Sequence, residues 1–280
     1  GLWKQVVVEQ LPAEHSQPLI AVYDWMLAQH ETVITLASER SVSAEAEASV
    51  VAPEWRELFA SLSEALLAFD DARVLHLCRV TRDAGASLPT LLQGLVYPLM
   101  KRVGTLWENG EITVADEHEI TSIMNWVLAA LYVDQPFPLP ERGTALVAAS
   151  MNEYHEMGAW MVATCLELDG WDVEYLGANV PEDALVSKTL ELQPQLLALS
   201  VSLPFNLGAA RRSIAALRAQ LPQLRVMIGG QVFQLLPSLA DDVGADACLQ
   251  DCQAAMEWAR QAGLPSILEV RRDAGQQRQR

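Results

Sequence analysis

No apolar stretch of this chain approaches the roughly 20 residues that span a bilayer; the run from Trp126 to Val133 stops at Asn125 and Asp134. Positive charge is also scarce. Lys and Arg number 19 against 36 Asp and Glu, a formal charge of −17. That surface repels phosphate backbones, and no helix-turn-helix or basic stripe offsets it, so direct nucleic-acid binding by these residues is not expected. Only four cysteines occur, Cys78, Cys165, Cys248 and Cys252, without the Cys-x-x-Cys spacing of a zinc or redox site. Reduced, mostly buried thiols are expected. The opening Gly-Leu-Trp-Lys has neither the basic region nor the cleavage site of a signal peptide, which points to a cytoplasmic chain with no membrane partner.

What is present is apolar and long enough for two cores: 280 residues, 51% hydrophobic and 20% charged. In the first half apolar residues recur three and four apart, the helical period. One candidate helix uses Leu19, Val22, Tyr23, Met26, Val33 and Ile34, and a second uses Trp55, Leu58, Phe59, Leu62 and Leu66. The small, acidic segment 41–50 between them reads as a loose connection. A third helix covers 71–81.

The clearest stripe runs from Leu88 through Leu91, Leu92, Leu95, Val96, Leu99, Met100, Val103 and Leu106 to Trp107, with Ser87 as N-cap and Pro98 as a source of a kink. A fifth helix starts near Thr113 and turns Ile120, Ile123, Met124, Val127, Leu128 and Leu131 inward before Pro136, Pro138 and Pro140.

From Thr144 the pattern changes to short β-rich runs at 145–149, 172–176, 196–201, 225–228 and 245–249. Helical patterns at 159–168, 182–192, 209–220 and 232–241 alternate with them. The expected fold class is therefore α plus α/β: an N-terminal helical bundle, then a doubly wound, five-stranded parallel sheet of the Rossmann or flavodoxin kind. Its ligand site should lie beyond the carboxyl ends of the strands. The division read from the sequence is an extra helix and linker (1–50), bundle (51–140), α/β domain (141–265) and polar tail or linker (266–280).

Just past the first strand stands Glu153-Tyr154-His155-Glu156-Met157-Gly158. A ligating imidazole needs its second nitrogen hydrogen-bonded, which Glu153 can supply, and Gly158 lets backbone approach a large ligand. Alone, a histidine in such a loop is ordinary surface. The spacing adds to it: 41 residues separate Gly158 from Ser200-Val201-Ser202, and 26 more lead to Gly229-Gly230.

The Asp/Glu-x-His-x-x-Gly, Ser-x-Leu and Gly-Gly series resembles the cobalamin-binding domains of methionine synthase and the mutases. There the histidine displaces the cofactor's own base from cobalt. The resemblance implies His155 as the cobalt ligand, supported by Glu153. It also implies Ser200, Ser202 and Gly229-Gly230 as the small residues around the displaced nucleotide tail, with Ser202 standing where leucine is usual.

In the bundle, Trp107 is followed after nine residues by Glu117-His118. Read alone, these are the end of an apolar stripe and a solvated helical first turn whose acid suits the helix dipole. Together they are similar to the bundle motif of CarH-type photoreceptors. That resemblance implies a Trp107 cap over the adenosyl group of adenosylcobalamin, with Glu117 and His118 lining its pocket. CarH-type proteins carry a histidine directly after the tryptophan, and this chain has Glu108, which puts the ligand of the lit state in doubt.

The resemblance covers about 55–263 and implies a light sensor that needs no catalytic residue, assembles as a homo-oligomer and drives an attached effector domain or a regulator protein. The related photocobilins also hold a bilin, so biliverdin near the helix bearing Tyr23, Trp25 and His30 is a further expectation beside plain core or dimer packing. Residues 271–280 read as either a frayed tail or a linker. A corrinoid methyl carrier of a methyltransferase system and a partner-regulating antirepressor are the alternatives. A mutase is disfavoured because 280 residues leave no room for a substrate barrel.

Overall fold

The computed structural model describes residues 2–39, 51–235 and 238–261. The segment 41–50 read as a loose connection lies outside them, as does the 266–280 tail. Two helices come first, α1 (Leu2–Gln10), which the sequence reading did not anticipate, and α2 (Ala13–Glu39). The side chains of Trp25 and His30 lie outside the description.

The bundle follows as α3 (Arg56–Leu67), α4 (Asp71–Asp83), α5 (88–108) and α6 (Val114–Val133). Helix α5 begins at the expected cap, the Ser87 hydroxyl accepting from the Thr90 amide at 3.3 Å. It contains a π-helical turn at Leu92–Val96, immediately before Tyr97–Glu108. Pro98 has no amide hydrogen for the ladder, and a widened turn just ahead of it rearranges the hydrogen bonds there. Helix α6 opens on a reciprocal capping box between Thr113 and Asp116, which fixes where its first turn, carrying Glu117 and His118, begins. All six residues expected to face inward from α6 are buried.

The second half is a five-stranded parallel sheet in the order β2-β1-β3-β4-β5, with β1 (Thr144–Ala149), β2 (Asp172–Tyr175), β3 (Leu196–Ser200), β4 (Arg225–Gly229) and β5 (Ala247–Cys248). The order reverses between β1 and β3, where a doubly wound sheet opens a crevice at its carboxyl edge. Register places Ala149 beside Ser200 and Ser200 beside Gly229, a row of small residues along that edge.

Helices α8 (Glu182–Leu192), α9 (Leu207–Gln220), α10 (Gln231–Leu235) and α11 (Leu239–Val243) contribute to the core on one face of the sheet; α7 (Met157–Leu168) and α12 (Cys252–Gln261) cover the other. Two expectations are corrected. The single helix at 232–241 is two short ones, α10 and α11, with Ser238 in a turn as the N-cap of the second. The fifth strand is two residues long, and α12 follows it unforeseen.

The bundle core does not end at the bundle. Leu91, Leu92 and Leu95 are fully buried, each contributing about 1.5–3 kcal/mol of apolar burial. They belong to one cluster with Met161 and Cys165 of α7 and Cys252 of α12. Polar contacts cross the same boundary: Tyr132 donates to Glu167 Oε1 at 3.0 Å, Gln234 donates to the Tyr97 hydroxyl at 2.6 Å, and the Cys252 thiol donates to Gln93 Oε1 at 3.5 Å. Tyr132 also lies against Trp160, with ring centroids 5.9 Å apart. Bundle and sheet thus share a core and a hydrogen-bonded seam. All four cysteines are free, and three of them are buried. Among the described residues no helix is long and apolar enough to cross a membrane.

Candidate metal centre

The loop after β1 presents His155 by a sequence of small constraints. Asn152 takes a left-handed backbone (φ 63°), a conformation asparagine tolerates better than most residues, and its amide donates to Asn179 Oδ1 at 2.8 Å. The Glu153 amide then donates to the Ser150 carbonyl, and the Glu153 carbonyl accepts from the Asn179 amide. The Glu153 side chain is driven into the protein, fully buried, while the His155 side chain stays 65% exposed.

A buried carboxylate must be paired, and this one is. Its Oε1 lies 2.6 Å from His155 Nδ1 and also accepts the His155 amide at 3.1 Å. Its Oε2 accepts the amides of Ser202 and Leu203, at 2.6 and 3.1 Å, and the Asn206 side-chain amide at 3.3 Å. Burial alone would raise the Glu153 carboxyl. The hydrogen bonds from His155, Ser202 and Leu203 outweigh it and hold the group at about 2. In return the Glu153 hydrogen bond raises the proton affinity of the His155 imidazole, partly opposed by burial and assisted by the negative charges of Glu153 and, across from it, Glu117.

With Nδ1 committed to the carboxylate, Nε2 is the free donor of His155. Among the described residues no cluster of three or more His, Cys, Asp or Glu side chains could hold a metal ion. One imidazole suits a metal that arrives with most of its ligands already in place, as cobalt does in a corrin ring. Gly158, in the first turn of α7, fits that reading. A methyl group added there would meet nothing within 4 Å, so no neighbour in the chain demands a glycine and a flat ligand is free to approach. Asn206 Oδ1, buried with no protein donor beside it, leaves an acceptor for a group from outside the chain.

The other sequence-selected residues gather at the same edge of the sheet, with changed reasons. Ser202 makes its observed contact through its backbone amide to Glu153, which any residue type supplies, so serine in place of the usual leucine does not disturb it. Gly229 and Gly230 are required by the chain itself. A methyl on Gly229 would lie 2.7 Å from the Leu249 carbonyl oxygen, and one on Gly230 (φ 120°) 2.0 Å from that of Val201. Ser200 ends β3, its carbonyl accepting the Ser150 amide.

On the bundle side Trp107 departs from its stripe: Leu106 is buried, but Trp107 is 47% exposed at the end of α5, beside exposed Glu108. It is not a core residue. Glu117 Oε2 lies 2.6 Å from His118 Nδ1 and its Oε1 accepts the Thr121 hydroxyl at 2.8 Å. The influence of Glu117 on His155 places the first turn of α6 within electrostatic reach of the β1–α7 loop. The reading from sequence missed Asn152, Asn179, Leu203, Asn206 and Thr121. Asparagines just past strand ends were the available signal for three of them.

The sequence matches two families, each described as a B12 binding domain, over residues 143–258 and 58–132. The HTH-type transcriptional repressor CarH of Myxococcus xanthus is 30% identical over 215 residues, covering 76% of this chain and 68% of its own. Dimethylamine corrinoid protein 1 of Methanosarcina mazei is 24% identical over 209 residues, covering 73% of this chain and 95% of its own. Among solved structures, the monomethylamine corrinoid protein of Methanosarcina barkeri has the same fold, with a TM-score of 0.63 at 20% identity over 73% of this chain and 98% of that one.

Proposed function

We propose, for a chain that belongs to the family of B12-binding proteins that includes the repressor CarH, that it is a light sensor built on adenosylcobalamin rather than an enzyme. Adenosylcobalamin supplies a cobalt–carbon bond that light breaks. His155 Nε2 would hold the cobalt, its tautomer set by Glu153. Ser200, Ser202 and the Gly229-Gly230 edge border the nucleotide tail.

The observation that carries the reading is Trp107, a large aromatic left 47% exposed next to a buried leucine. An indole held out of its own core leaves apolar surface available to pack on a group brought in with a ligand, which supports the reading. Together with Glu117 and His118 it forms the upper wall, so that residues 51–140 act as the cap and 141–265 as the base. Loss of the apolar group that Trp107 covers would deprive the indole of its packing partner. The cap then resettles across the seam of Tyr132, Glu167 and Gln93, and assembly of a homo-oligomer changes with it. The output runs through an attached effector domain or a regulator protein. The net charge of −17 disfavours direct nucleic-acid contact by the residues named here. Biliverdin is proposed as a second chromophore near α2.

The match to dimethylamine corrinoid protein 1 over 95% of its length favours one other reading, a corrinoid methyl carrier. A carrier must expose its cobalt to partners, whereas a Trp107 cap would cover it. An absorption spectrum of the chain loaded with adenosylcobalamin, in the dark and after green light, with molecular size in both states, separates the two. Photolysis with a change of assembly supports the sensor; an unchanged assembly and preferred retention of methylcobalamin support the carrier. Red absorption from a biliverdin-loaded sample tests the second chromophore.

A further inference from the structure

Two of the four cysteines meet in the core that bundle and sheet share, and the site described above uses neither. Cys165 lies on the third turn of α7 and Cys252 opens α12, two helices that pack side by side on that face of the sheet. Both residues are buried, both belong to the cluster of Leu91, Leu92 and Leu95, and their side chains are in direct hydrogen-bonding contact. As a thiol, Cys252 also donates to Gln93 Oε1 at 3.5 Å, inside the π-helical turn of α5.

The two sulfurs are not equivalent. Cys252 is brought below the ordinary thiol range by the hydrogen bond from Cys165 and by the backbone amides of Cys252 and Gln253 at the start of α12, against burial and the nearby charge of Asp251. Cys165 is raised by the same contact and by burial. Burial also raises Cys78, to about 12, and Cys248, which disfavours the thiolate at both. Gln250, two residues before Cys252, is exposed, so opening the first turn of α12 admits a molecule the size of a peroxide.

We propose that Cys165 and Cys252 form a reversible disulfide in response to a small peroxide, and that closing it frees the π-helical turn of α5 from α12. The inference goes beyond the cobalamin reading and does not depend on it. The Cys252 thiolate attacks one peroxide oxygen: an S–O bond forms, the O–O bond breaks, and the released hydroxide takes up the proton lost from Cys252 to leave as water. The Cys165 sulfur then displaces hydroxide from that sulfenic acid: the S–S bond forms, the S–O bond breaks, and the Cys165 proton completes the second water. The two thiols give up two electrons and the peroxide gains them. A disulfide sulfur carries no hydrogen, so Gln93 Oε1 loses its donor and the seam between α5 and α12 loosens.

The test treats the full chain, reduced and then freed of reductant, with hydrogen peroxide and no added corrinoid, so that cobalt consumes none of the oxidant. Peptide mapping by mass spectrometry is expected to find Cys165 joined to Cys252, and dithiothreitol to separate them. Hydrogen exchange at residues 92–96 should quicken about fivefold on oxidation, the effect of one lost hydrogen bond. Cys165→Ser removes both responses, and Cys165→Ala, which keeps the core apolar, does the same should the serine variant not fold.

A bridge that joins Cys248 or Cys78 instead, or cysteines that stay reduced or pass to the sulfinic acid, overturns the proposal. So does exchange at 92–96 that is unchanged once the Cys165–Cys252 bridge has formed, or that quickens equally in the Cys165 variants.

Discussion

The Glu153 carboxylate, fully buried, stands 2.6 Å from Nδ1 of His155, an imidazole that is itself 65% exposed. The anchoring carboxylate belongs to the interior and the imidazole it orients to the surface. A carboxylate that cannot move therefore sets the direction of a ring that faces outward. Glu153→Gln keeps the volume but loses the charge that the Ser202 and Leu203 amides and the imidazole all address. Cobalamin affinity, measured by equilibrium titration, is expected to fall about 10–100-fold, with a loss of about 1–3 kcal/mol in folding stability by denaturant unfolding. Unchanged affinity would show that His155 does not ligate through the orientation Glu153 imposes.

The two glycine positions should separate stability from binding. Gly230→Ala puts a methyl 2.0 Å from the Val201 carbonyl oxygen at a backbone φ of 120°, and a loss of about 3 kcal/mol or more is expected in urea unfolding. At Gly158 a methyl meets nothing, so Gly158→Ala should stabilise the unloaded chain by about 0.5 kcal/mol while weakening cobalamin binding. If Gly158→Ala binds cobalamin as tightly as wild type, no ligand comes close there.

Trp107→Ala removes an indole that its own core does not enclose. The melting temperature of the unloaded chain should hardly change, the stability cost staying below about 1 kcal/mol. Affinity for adenosylcobalamin should fall about tenfold, and affinity for aquacobalamin should stay level, because only the former brings a group for the indole to cover. Equal losses for both cofactors would argue against the cap.

The Tyr132–Glu167 contact gives the seam between bundle and sheet a defined pH response. Burial raises the Glu167 carboxyl above the ordinary carboxylate range, aided by the charge of Asp172 and opposed by the Tyr132 hydrogen bond. A raised folded-state value means that the stability linked to the protonated form is complete below the unfolded value and is lost as pH rises through the folded one. Ionised Glu167 is therefore a cost at neutral pH. Glu167→Gln, which can still accept from Tyr132, should melt slightly higher than wild type at neutral pH, by less than about 1 kcal/mol because solvent screens a group that is only half-buried. The difference should close as pH falls below the carboxylate range. A constant difference across that range would rule out titration of Glu167 as its source.

Much of this architecture was legible in the sequence, and where the reading failed the causes are specific. The inward stripe of α6 and the Ser87 cap were read correctly because helical period and capping are local properties of a few adjacent residues. The strands announced themselves as short β-rich runs, though β5 shrank to two residues at the sheet edge. Helix α12 buries Cys252, Ala255 and Ala259, small residues that make only a faint apolar stripe in the sequence. The apolar period at 232–241 runs on across the turn at Ser238, so it does not mark where α10 gives way to α11.

By itself the sequence determined the order of bundle and parallel sheet, and the Glu-x-His-x-x-Gly placement at the carboxyl end of β1. Both follow from residue type and spacing over short stretches. Only the tertiary structure decided that Glu153 is buried and clasped by Ser202 and Leu203 amides 49 and 50 residues away, and that Gly229 and Gly230 yield to the Leu249 and Val201 carbonyls. It also decided that Trp107 leaves its stripe, and that the bundle core extends into α7 and α12. These outcomes depend on which distant segments meet, and backbone amides and carbonyls, which every residue carries, make the decisive contacts without marking the sequence.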